Sequence, residues 1–175
     1  SKSTFGNATG LPHPKQLMTV REIAILARHL ITTYPEYYGI FSERVFEFNN
    51  GNRTFKFGNR NPLLSMNIGA DGLKTGFIKE AGYNLVGSAV QNKRRLIVVV
   101  AGAASAEDRS EAAKKLIEWG FRNFKEVAIF EAGEIVGEAR VWGGSSYYLR
   151  LVGGGPVRIL VPRAASRNRL KAQIV

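Results

Sequence analysis

A chain of 175 residues with 45% apolar and 22% charged side chains carries enough apolar material for one folded domain plus a small second one. It has no cysteine, which excludes disulfides and thiolate metal sites, and no apolar run near the ~20 residues that a membrane-spanning helix needs. Its net charge of +11 invites a nucleic-acid reading, but the basic residues are scattered, and the clusters at Lys93-Arg94-Arg95 and 163–171 lack the interleaved aromatics of a base-stacking platform. No nucleic-acid partner is therefore expected, and an anionic polymer or a membrane surface accounts for the charge equally well.

Residues 1–14 are rich in turn formers with no element to anchor them, as expected of a segment from the middle of a longer protein. Thr19 and Glu22 have capping-box spacing ahead of Ile23, Ala24, Ala27, Leu30 and Ile31, which share one helical face. This predicts a helix over 20–33, ended because Pro35 disfavours a helical Tyr34, with one further helical turn at 35–41. From Val45 the apolar period becomes two, and the runs 45–48 and 54–57 around Asn49-Asn50-Gly51-Asn52 predict a hairpin. Residues 58–65, containing Asn61-Pro62, read as a loop.

Strands are predicted at 73–78, 83–90 and 95–101, the last two joined at Gln91-Asn92-Lys93, and their connections are too short for a helical crossover, so they should be antiparallel neighbours. Ser105 and Asp108 repeat the capping-box spacing and open a helix to about Phe124. Its Ala112, Ala113, Leu116, Ile117, Gly120, Phe121 and Phe124 form a side that can lie on the sheet, and Trp119 with its neighbouring phenylalanines is expected in the core. Beyond Phe124, valines and paired glycines without helical periodicity predict short strands, the last reaching the final residue. The fold class is α+β: an antiparallel sheet packed by helices over 1–125, then a small β-rich domain over 126–175.

The stretch most suggestive of chemistry is Asp71-Gly72-Leu73-Lys74-Thr75-Gly76. A lysine, a hydroxyl and a glycine in a row at the head of a strand put a cation, a donor and bare backbone on one edge, which can hold an anionic peptide end. Each residue also has a plainer reading: Lys74 as a solvated strand-end lysine, Thr75 as a β-branched strand former, Gly76 as a bulge glycine. Arg109, in the first turn of the later helix, suits either a carboxylate beside unpaired helix N–H groups or a surface ion pair with Asp108 or Glu111. Asp71 and Gly72 are expected to set the turn into the strand, and Ser65-Met66-Asn67 to lead into it. His13 and His29, with no cysteine and no carboxylate pair at ligand spacing, make no metal site, and no cofactor is expected.

Lys-Thr-Gly is one signature of penicillin-binding proteins and class A β-lactamases, and its neighbours here extend the likeness. Residues 5–12, Phe-Gly-Asn-Ala-Thr-Gly-Leu-Pro, resemble an Asn/Ser-Gly-Leu loop, and Thr19-Val-Arg-Glu-Ile-Ala24 resembles the helix start that follows it in low-molecular-mass penicillin-binding proteins, the serine-type D-alanyl-D-alanine carboxypeptidases. Residues 71–76, then Ala81-Gly82-Tyr83-Asn84-Leu85-Val86, then Arg109 with residues 111–121, continue the resemblance in order. It implies that Lys74 stands beside a nucleophilic serine, that Thr75 donates its hydroxyl to the terminal carboxylate of D-Ala-D-Ala or of a β-lactam, and that Gly76 lets the substrate lie along the strand edge. It also implies that the Phe77 N–H is an oxyanion donor, the Phe77 side chain lining the cleft or the core, and that Arg109 is a second carboxylate anchor.

The family's Ser-x-x-Lys occurs nowhere in the 175 residues, so the resemblance implies a missing N-terminal portion and a chain inactive alone. The implied partners are the peptidoglycan stem peptide and β-lactams, with membrane association of the parent, at the periplasm or the outer face of the cytoplasmic membrane. Self-association through an exposed sheet edge is also expected. A β-lactamase-related fragment and a non-catalytic cell-wall or protein-interaction module stay open as alternatives.

Overall fold

A computed structural model of the protein describes residues 2–165. The chain divides into two compact units, Ser1–Phe121 and Arg122–Val175. In the first unit, helix α1 spans Val20–Thr33 and opens where the Thr19 hydroxyl accepts from the Glu22 N–H at 3.2 Å, as the capping spacing predicts. The Glu22 carboxylate also accepts from the Lys2 N–H and the Ser3 hydroxyl, which ties the N-terminal segment to the helix start. A short helix α2, Pro35–Tyr38, and a 3-10 turn, Gly39–Ser42, precede the hairpin of β1, Val45–Asn49, and β2, Thr54–Gly58.

The central sheet has the order β3-β4-β5, with β3 at Ala70–Ile78, β4 at Gly82–Gln91 and β5 at Arg94–Ala103, all antiparallel. Helix α3, Ala106–Asn123, covers one face through Ala113, Ile117 and Phe121, which pack with Leu85 and Ala89 of β4 and with Leu63 and Ile68. Helix α1 packs against β5 and β4. The structure departs from expectation at two places. Trp119 is not in the core but 50% exposed, because it lies about 200° around the helix from the fully buried Ile117. Residues 58–65 are not a plain loop: β2 runs to Gly58, and Pro62–Ser65 is a 3-10 turn, capped by Asn61, that puts Leu63 at 0% exposure in the centre of the core.

In the second unit β6, Phe124–Phe130, pairs antiparallel with β9, Val157–Pro162, and β7, Ile135–Arg140, pairs with β8, Tyr148–Val152. The strand expected at the end of the chain lies outside the described residues. Among those described, no helix is long and apolar enough to cross a membrane.

Candidate active-site strand

β3 is one of the two edge strands of the central sheet among the described residues, and its register decides which way its side chains point. Ala70 pairs with Ala89 and Gly72 with Ser88, so two steps of β3 oppose one of β4, and Asp71 is the extra residue of a bulge. Beyond it Leu73, Thr75 and Phe77 stand opposite Gly87, Leu85 and Tyr83 on the α3 side, while Lys74 and Gly76 stand opposite Val86 and Asn84 on the other face.

There Lys74 lines a shallow cavity of about 210 Å³ with Ile23 of α1, Gly76, Asn84, Val86 and Val99. Its ammonium Nζ donates to the carbonyl of Thr75 at 2.7 Å. Thr75 is 8% exposed, whereas Gly76 is exposed, and a Cβ added to it would meet no atom within 4 Å. The Phe77 side chain is not core: it is 57% exposed, with its ring 4.3 Å from that of Tyr83. The Arg109 guanidinium lies over the other ring of that tilted pair, 5.7 Å from the Tyr83 ring centroid. Four of the sequence-predicted residues thus share one strand edge, and Arg109 joins them at its far end through Tyr83.

The surface ion pair considered for Arg109 is overturned. Arg109 is only 8% exposed, and its Nε has no hydrogen-bond partner among the described residues, while Glu111 bonds Lys115 at 3.0 Å and Asp108 bonds Ser105 at 2.7 Å. Asp71 and Gly72 are also not turn residues, since both lie inside β3. The Asp71 carboxylate accepts from the Tyr38 hydroxyl at 2.9 Å and from Arg95 Nη1 at 2.8 Å, and the same guanidinium nitrogen donates to the fully buried Ser88 hydroxyl at 2.6 Å. Arg95 also stacks on the Tyr38 ring at 5.0 Å. Burial pushes the Tyr38 hydroxyl up to about 12; Ser88 and the Arg95 cation oppose the rise, and the Asp71 carboxylate adds to it. Gly72 is required beneath this cluster, because a Cβ there would lie 2.6 Å from Tyr38 Oη. Sequence reasoning missed Tyr38, Ser88 and Arg95; the one signal was the pair Arg94-Arg95 leading an otherwise apolar strand.

Ser65, in the Ser-x-Asn triplet, donates to the Pro62 carbonyl at 2.9 Å, and Asn67 turns the chain at φ 54° ahead of β3. Among the described residues no group of three or more His, Asp and Glu gathers as metal ligands would.

An antiparallel sheet backed by α3, with α1 across its other face and Lys-Thr-Gly on the edge strand, is the transpeptidase-like arrangement of penicillin-binding proteins, present here in part. Residues 1–105 match the model of the D-alanyl-D-alanine carboxypeptidase family, and the chain belongs to that family. It is similar to the D-alanyl-D-alanine carboxypeptidases DacA of Haemophilus influenzae, at 42% identity over 85% of this chain and 37% of the relative, and DacC of Escherichia coli, at 40% over 98% and 42%. The crystal structure of penicillin binding protein 5 from Haemophilus influenzae superposes with a TM-score of 0.83 at 38% identity, covering 94% of this chain and 47% of that one. The chain therefore spans about two-fifths of the length of these curated relatives.

Proposed function

We propose that this chain supplies the substrate-binding strand of a serine-type D-alanyl-D-alanine carboxypeptidase that trims the terminal D-alanine from peptidoglycan stem peptides, in the periplasm or at the outer face of the cytoplasmic membrane. In that reaction a serine Oγ attacks the carbonyl of the penultimate D-alanine and the terminal D-alanine leaves. Water then hydrolyses the acyl-serine ester; a β-lactam acylates the same serine as its ring C–N bond opens, the amine stays tethered, and that different ester persists. The observation that carries the reading is the edge of β3, where Lys74, the open backbone at Gly76 and the Phe77 amide follow one another in a family member.

Each residue has a distinct task. The Lys74 ammonium raises the positive potential where the nucleophile and the substrate carboxylate meet. The Thr75 hydroxyl donates to that carboxylate. Gly76 lets the substrate backbone add to the strand edge, a pairing that a side chain would obstruct. The Phe77 N–H donates to the developing oxyanion, and Arg109 supplies a second cation at the far end of the strand.

Because the 175 residues contain no Ser-x-x-Lys, the chain alone should bind without reacting. Incubation with a fluorescent penicillin should leave it unlabelled, and titration with an N-acyl-D-Ala-D-Ala peptide should move the Gly76 and Phe77 amide resonances. Covalent labelling overturns the absence of a nucleophile, and shifts confined to residues away from β3 overturn the assignment of the strand. Light scattering tests whether the unpaired edges of the sheet also drive self-association; a clean monomer would exclude it.

A further inference from the structure

We infer that Asp71 and Arg95, together with Tyr38 and Ser88, form a clamp that holds the β3 bulge and thereby decides which face of the sheet Lys74 occupies. Neither Asp71 nor Arg95 has a place in the chemistry proposed above. They are positioning residues, and the inference rests on the proposed function only for its ligand-binding consequence.

Ala70 packs against the core cluster on the α3 side, and Leu73, 5% exposed and opposite Gly87, faces the same way. An unbroken strand puts every second residue on one face, so two residues three apart can share it only if one extra residue lies between them. That residue is Asp71. Remove the bulge while keeping Ala70 on its face, and Gly72 and Lys74 turn toward α3, because a one-residue slip exchanges the two faces of everything downstream. The cation would then leave the cavity it shares with Ile23, Val86 and Val99 for the side of the apolar cluster that includes Leu85, Ala113 and Ile117.

What holds the bulge is not its own backbone. A bulge residue is left unpaired by the ladder, so its side chain must find other partners. Asp71 finds them on three elements: Tyr38 of α2 at 2.9 Å, and, through Arg95 of β5, Ser88 of β4, which is 0% exposed and is the residue opposite Gly72. Arg95 is central: its Nη1 reaches Asp71, Ser88 and, at 3.3 Å, the Tyr38 hydroxyl. The cluster joins β3 to β5 across β4, three residues before Lys74.

The test compares the 175-residue chain with Asp71→Asn, Arg95→Met, Arg95→Lys and the double variant Asp71→Asn/Arg95→Met, which removes the clamp without leaving one charge orphaned. Amide hydrogen exchange is read along β3, β4 and β5. Losing a charge-assisted partner at a half-buried site should speed exchange of the β3 amides at 74–77 about tenfold in Asp71→Asn, Arg95→Met and the double variant, with β4–β5 pairs changed by less than about twofold. Arg95→Lys, which keeps the cation, should restore part of the protection. An equal rise across all three strands, or none in β3, overturns the clamp. Titration with an N-acyl-D-Ala-D-Ala peptide should show affinity falling about tenfold in the same variants. If the parent chain binds no such peptide, the proposed function fails, and exchange alone still decides the clamp.

Discussion

Replacing Gly76 with alanine should separate binding from folding. A Cβ at Gly76 would meet no atom within 4 Å, and the residue is exposed with no left-handed φ. The added methyl therefore costs no overlap, and the reduced freedom of the unfolded chain should stabilise the protein by up to ~0.5–1 kcal/mol. Gly87, opposite Leu73, is the internal contrast: its added Cβ would lie 2.6 Å from Leu63 Cδ1 and 3.1 Å from both Leu85 Cδ2 and Val98 Cγ2. Overfilling that part of the core should cost ~1–3 kcal/mol. If Gly76 is there so that a peptide can lie against the edge, Gly76→Ala should weaken an N-acyl-D-Ala-D-Ala peptide roughly tenfold, the equivalent of about 1.4 kcal/mol, whereas Gly87→Ala should change affinity only as far as it unfolds the chain. Urea denaturation and amide chemical-shift titration measure the two quantities on the same samples. A Gly76→Ala chain that loses more than ~1 kcal/mol of stability refutes the reading of open space, and one that binds as well as the parent refutes the need for bare backbone.

Three further outcomes are expected. Tyr38 keeps its proton in the fold to about pH 12, whereas an unfolded tyrosine releases it near 10, so the folded state binds more protons between these values and stability should fall as pH rises through that window. Discounted for the partly exposed phenol, the loss should be ~1–2 kcal/mol, and alkaline denaturation of Tyr38→Phe should lack it. Arg109→Met should leave stability unchanged or raise it by ~1 kcal/mol, since it removes a buried guanidinium whose Nε has no partner among the described residues, while peptide affinity falls about tenfold; a large loss of stability in urea would show instead that the cation holds the fold. Ile117→Ala, at a fully buried site beneath Leu85 and Ala89, should cost ~2–5 kcal/mol by calorimetry and leave the residual folded fraction able to bind.

What the sequence disclosed follows the range of the interactions involved. The start of α1 was legible because Thr19 and Glu22 meet within one turn, and the β1–β2 hairpin because its strands are joined by a four-residue turn around Gly51 at φ 90°. Lys74, Thr75, Gly76 and Phe77 were legible because four consecutive residues at a strand edge need no tertiary information to be neighbours. Trp119 was misplaced although the period that marks Ile117 and Phe121 as buried also turns Trp119 away; its apolar character outweighed its phase. Arg109 and Asp71 were harder for a physical reason. A charged residue in a chain reads as surface, and only the fold can show that Tyr83 covers one and that Arg95, itself bonded to Ser88, neutralises the other while Tyr38 donates to it. Tyr38 and Arg95 are 57 positions apart, and no local propensity marks a bulge between Ala70 and Gly72. The edge proposed to offer its backbone to a ligand is thus written in four adjacent letters, but the face on which its lysine stands depends on partners contributed from α2, β4 and β5.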